Sequence, residues 1–97
     1  MRVNGIITFT TDGKKYKASD RFEMAFRLKK DLLISGRISG SVDMYEQDKP
    51  YEVEVKFFTT NKHALEHDYG VTINQNDVFA VCAGKYIVGN FVVEKVQ

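Results

Sequence analysis

Ninety-seven residues, 43% hydrophobic and 28% charged, make one domain with a single core and leave no room for a second domain or a large cleft. No run approaches the roughly 18 consecutive apolar residues of a membrane span, and the N-terminal MRVNGIITFT alternates instead of forming a signal-peptide block. A cytoplasmic protein with no membrane contact is therefore expected. The net charge of +1 is the sum of unlike parts: residues 1–37 carry nine Lys or Arg against four Asp or Glu, and the remainder is net acidic.

The elements read as strands. Val3 to Thr10 is rich in β-branched residues, and Asp12-Gly13 after it marks a turn. Phe22, Met24, Phe26 and Leu28 alternate with Arg21, Glu23, Ala25, Arg27 and Lys29, which predicts a half-buried strand with one charged face. In the next run Ile34, Ile38, Val42 and Met44 share one parity with Gly36 and Gly40, whose missing side chains suit a strand that coils sharply or turns a barrel corner. Tyr51, Val53, Val55 and Phe57 alternate with Glu52, Glu54 and Lys56 after Pro50, a residue tolerated where a strand starts. Val78 to Val81 and Tyr86 to Val96 complete about six strands.

Residues 60–76 form the one long connection, with at most a turn or two of helix over Asn61 to His67. The predicted fold is an all-β, single closed antiparallel barrel spanning residues 1–97. Its predicted core is Ile7, Phe9, Phe22, Met24, Phe26, Ile34, Ile38, Val53, Val55, Phe57, Phe79, Val81 and Val88.

Chemistry-bearing constellations are few. His63 and His67 stand four apart, with Glu66 and Asp68 beside them, but a single H-x-x-x-H lacks the second ligand pair of a zinc motif. They are read, with Tyr69, as an exposed interaction loop without a metal. Cys82, the single cysteine, lies between Val81 and Ala83 and reads as a small buried hydrophobe. Glu52 and Glu54 sit on an exposed parity with no apolar surroundings to raise a carboxyl pKa. No G-x-x-x-x-G-K-[ST] phosphate loop is present, so neither nucleotide hydrolysis nor a cofactor is expected. Lys14, Lys15, Tyr16, Lys17 and Arg21 form the best polyanion-contact candidate, combining charge with an aromatic ring able to stack on a base.

The run from Phe79 to Val96, FAVCAGKYIVGNFVVEKV, resembles the end of elongation factor Tu, where a strand of F-A-I/L-R type passes through an E-G-G-R turn into T-V-G-x-G-V-V. Upstream, GIITF at Gly5, the alternating RFEMAFRL, the Ser-Gly-Arg-Ile-Ser-Gly-Ser run and the Tyr51-Glu-Val-Glu-Val-Lys-Phe strand follow the strand order of that family's third domain. The resemblance implies a closed antiparallel barrel of about six strands, standing alone without the GTPase domain.

In the family this domain helps hold the T-arm of aminoacyl-tRNA, partly through arginine-bearing turns. Here Cys82 and Tyr86 stand at the two arginine positions, Lys85 replaces a glycine, and only the framework glycines Gly84 and Gly89 remain. The expectation is a non-catalytic binding module with a protein partner, RNA contact through the basic N-terminal half being the alternative.

Overall fold

The computed structural model describes residues 1–10, 16–17, 22–58 and 61–97, with positions 16 and 17 described by backbone alone. Six strands close an antiparallel barrel in the order β1 (Arg2–Phe9), β6 (Pro50–Phe57), β4 (Leu32–Gly40), β3 (Glu23–Lys29), β7 (Val78–Ala83) and β8 (Tyr86–Val96), with β8 returning to β1. A two-residue pair, β2 (Tyr16–Lys17) with β5 (Met44–Tyr45), forms a separate small ribbon.

Alternation fixes which way each strand faces. On β1, Val3, Ile7 and Phe9 are buried while Asn4, Ile6 and Thr8 are partly exposed, and β6 answers with Val53, Val55 and Phe57. The register places Val3 opposite Val55 and Gly5 opposite Val53, so both strands turn the same parity inward. On β3 only Phe26 is completely buried; its ring meets Phe57 at 5.5 Å and Phe91 at 5.7 Å between centroids, both edge-on. At Gly36 the space a side chain would take is filled by Val55 and Phe26.

Two expected core members are only half-buried. Phe22 precedes β3 and packs at the barrel end against Phe9 and Tyr45, and Met24 lines an open depression. The parity read from Ile34 to Met44 also fails beyond Gly40. The chain bends at residues 41–43, so Met44 is 45% exposed and Tyr45 is completely buried instead. Tyr45 then joins Phe9 (5.7 Å), Phe22 (5.5 Å) and Tyr51 (5.0 Å) in an aromatic cluster that fills this end.

The segment read as a long loop contains a capped helix, α1 (Lys62–Tyr69). The Asn61 side chain accepts from the Ala64 N–H at 2.8 Å, and Gly70, at φ 65°, ends the helix while the Val71 N–H donates to the Leu65 carbonyl at 3.0 Å. Leu65, Val71 and Ile73 are buried and extend the core. At the far end of β3 from the aromatic cluster, the Lys29 ammonium donates to the Tyr69 carbonyl at 2.6 Å and ties the helix to the wall. Among the described residues no helix is long and apolar enough to cross a membrane.

The two glycines kept from the resemblance have separate steric reasons. Gly84, at φ 60°, makes the two-residue turn between Ala83 and Tyr86. Gly89 lies across from Phe9, where a Cβ would collide with the Thr8 carbonyl oxygen. A bulge at Val88, opposite the step from Val81 to Cys82, shifts the β7–β8 register, so that Val88 and Gly89 are buried in succession.

Three substitutions test this architecture by urea denaturation. Phe26→Asp should destabilise by several kcal/mol, about 3 or more, because it buries an unpaired charge, whereas Arg27→Asp on the exposed parity should change stability by no more than about 0.5 kcal/mol. Gly89→Ala should cost about 1–3 kcal/mol by forcing β8 away from β1. Equal losses at positions 26 and 27 would reverse the assigned faces of β3.

Candidate interaction surface

The β7–β8 hairpin projects past the end of the β1 ladder, whose last pair with β8 is Phe9 with Gly89. Residues 86 and 87 are therefore not sandwiched between neighbouring strands, and both side chains point to solvent, Tyr86 at 67% and Ile87 at 58% exposure. The Lys85 ammonium stands 5.6 Å from the Tyr86 ring centroid, a distance at which cation and ring attract.

Beside this hairpin lies an open depression of about 360 Å³ lined by Glu23, Met24, Ala25, Ser35, Cys82, Ala83 and Gly84. The registers explain it. Ala25 pairs with Cys82, Cys82 with Ile87 and Ala83 with Tyr86, so small side chains run together over β3 and β7 while the large apolar ones stand at the margin. Cys82 is free and almost completely buried. The Glu23 carboxylate is 3.5 Å from the Arg37 guanidinium, which in turn lies 5.1 Å from the Phe58 ring centroid.

A second depression, about 280 Å³, lies over β1, β4, β6 and β8 and gathers Asn4, Ser39, Glu52, Glu54 and Glu94. Its acidity is partly offset, since Arg2 lies 3.7 Å from Glu54 and the Gln97 amide donates to Asn4 at 2.9 Å and to Glu54 at 3.5 Å. Arg2 belongs to the basic half of the sequence and Glu54 to the acidic half. Barrel closure thus brings part of the two halves together.

Of the residues expected from sequence, Lys14, Lys15 and Arg21 lie outside the described residues, and Tyr16 and Lys17 are described only as the backbone of β2 beside Met44 and Tyr45. His63 and His67 are brought together on α1, with ring centroids 5.7 Å apart and planes within 19°. Tyr69 is 45% exposed on the same helix, and its position in the 3.6-residue period sets it off that face. Tyr86 and Ile87 were missed as contact residues because they share the apolar alternation of the strand they begin. The signal was their place directly after the Gly84 turn, where a hairpin outruns its neighbours.

Comparison with known proteins finds no family model that matches the chain and no curated protein significantly similar to it.

The aromatic end contains an unusual polar group. The Tyr45 hydroxyl is buried without a hydrogen-bond partner, close to Gly40, where a Cβ would come within 2.7 Å of it. Burial, and secondarily the neighbouring Tyr51, push the Tyr45 phenol above its ordinary pKa of 10.0. The Tyr51 hydroxyl is satisfied, accepting from the Glu46 N–H at 2.9 Å.

Tyr45→Phe should therefore leave stability unchanged or raise it by up to about 1 kcal/mol near pH 7, since an unpaired buried hydroxyl is removed without changing shape. The folded protein keeps the Tyr45 proton above the unfolded value of about 10, so this residue lowers stability as pH rises from about 10 toward the folded pKa, and contributes no slope below that. Thermal unfolding of both proteins across pH 8–11 should show a shallower alkaline decline for the variant.

Proposed function

We propose that this barrel is a non-catalytic, cytoplasmic interaction module, a counterpart of the third domain of elongation factor Tu, that takes a protein partner on the β7–β8 hairpin and the depression beside it. The observation that carries the reading is the pair Tyr86 and Ile87, two large apolar side chains largely in solvent on a hairpin that overhangs the barrel. Large side chains left in solvent at a barrel rim offer a partner apolar contact, and tyrosine is among the residues that dominate association energetics.

Departures from the family pattern support a protein partner over a nucleic acid at this turn. Where the family turn carries arginines, this chain has a buried thiol at Cys82 and an exposed ring at Tyr86. Phosphate recognition depends on cations, and the positions that would supply them here supply an apolar contact instead. The reading is non-catalytic because the described residues lining the depression place no imidazole or amine beside Ser35 or Cys82 to activate either as a nucleophile. A buried, free cysteine also fits a reducing compartment.

Affinity capture from a cell extract by the intact chain, compared with a Tyr86→Ser, Ile87→Ser double variant, tests the proposal. The expected result is a protein retained by the parent at physiological salt and lost at least tenfold by the variant, with unfolding midpoints alike. Retention of nothing, or equal retention by both, overturns it. Capture of RNase-sensitive material that falls steeply with salt, and with Lys14, Lys15 and Lys17 changed to Glu, would establish the RNA alternative in its place.

A further inference from the structure

We propose that the exposed face of α1 is a divalent transition-metal site built on His63 and His67. The spacing of four residues brings the second imidazole round to within about 40° of the first on a 3.6-residue helix. In the folded chain the two rings lie face to face, 5.7 Å between centroids and 19° between planes.

The helix that carries them is held at both ends and from beneath. Asn61 caps its start, Gly70 and the Val71 N–H close its end, and Leu65 anchors it in the core. The two ligands are thus preorganised on a rigid element, which lowers the ordering cost of binding. That support was not visible in the H-x-x-x-H spacing alone.

One ring is also oriented as a ligand. His67 Nδ1 lies 3.0 Å from the Asp68 carboxylate. With the Nδ1–H donating to that carboxylate, the Nε2 lone pair is presented to solvent, the arrangement in which metal-bound histidines are held and made more basic by an outer carboxylate. Both residues of this pair are exposed, with 75% of the His67 side chain and 59% of the Asp68 side chain accessible, so an ion reaches the site without opening the fold.

The donor set selects the ion. Two imidazole nitrogens favour Zn²⁺, Ni²⁺ and above all Cu²⁺, and leave Mg²⁺ and Ca²⁺, which require oxygen ligands, unbound. A shared ion at about 2.0–2.1 Å from each nitrogen needs ligating atoms no more than about 4 Å apart, which the exposed rings reach by turning their edges toward each other. Among the described residues no third His, Cys, Asp or Glu completes the set, so water or a donor from a bound partner fills the remaining positions. The site is open, not a closed structural centre.

Isothermal titration of the full chain with CuCl₂ and with ZnCl₂ in a non-coordinating buffer at pH 7.5 tests this. One ion per chain should bind, Cu²⁺ more tightly than Zn²⁺. His63→Ala and His67→Ala should each weaken it at least tenfold, and Asp68→Asn by about tenfold.

The decisive variant is Lys62→His with His63→Ala. It keeps two imidazoles and Asp68 but sets the rings about 140° apart around the helix, and should bind no better than a single-histidine protein. All these positions are exposed, so unfolding midpoints without metal should match the parent. Undiminished binding in the relocated variant, or no difference among the alanine variants, would assign the metal to another group and overturn the proposal.

Discussion

Closure between the first and last strands is the constraint on which the rest of the molecule depends. β1 uses both of its edges, pairing with β6 on one side and β8 on the other, so the sheet has no free margin among its six strands. That closure requires two backbones to approach where Gly89 meets Thr8 and Phe9, a contact only a residue without Cβ permits. Register shifts at Asn4/Gly5, Arg27/Lys29 and Val81/Cys82 supply the local bends that let short strands wrap round. The barrel so formed is filled along its length by Phe26, Phe57 and Phe91, and then at one end by Tyr45 and its aromatic neighbours.

A closed barrel offers no full strand edge for a partner to extend, because each of its six strands has a neighbour on both sides. Binding then falls to side chains, and the walls offer mostly charged or small ones. The ends differ. The end nearest α1 is sealed by Leu65, Val71 and Ile73, while at the other the β7–β8 hairpin runs beyond the β1 ladder and leaves Tyr86 and Ile87 outside the core. A hairpin longer than its neighbouring strand therefore leaves two large apolar side chains in solvent at this end.

Much of the barrel is legible in the sequence because period-two alternation is a direct image of a sheet with one buried face. Val53, Val55 and Phe57 are buried as their parity requires, and Pro50 begins β6 where its missing donor does no harm. What alternation does not reveal is where a chain leaves the sheet. The bend at residues 41–43 exchanges Met44 for Tyr45, and no period marks it. Leu65, Val71 and Ile73 are equally hidden, since a helix of two turns contributes one buried residue and the chain after it has no repeat at all. The candidate surface was less legible for a related reason: Tyr86 and Ile87 are written in the same apolar alphabet as the core, and only their overhang distinguishes them.

The replacement of arginine by tyrosine at the hairpin, under the proposed reading, changes the physics of recognition and not merely its target. A guanidinium attracts phosphate over roughly a Debye length, about 8 Å at physiological ionic strength, and loses that attraction as salt rises. A tyrosine ring acts only at contact, through desolvation and packing, and keeps its contribution in salt. Cys82 changes the wall beside the hairpin as well, because it is buried next to Ala25 among the small side chains that line the depression. A small side chain at position 82 keeps that depression open, and the surface of the hairpin is left to Lys85, Tyr86 and Ile87.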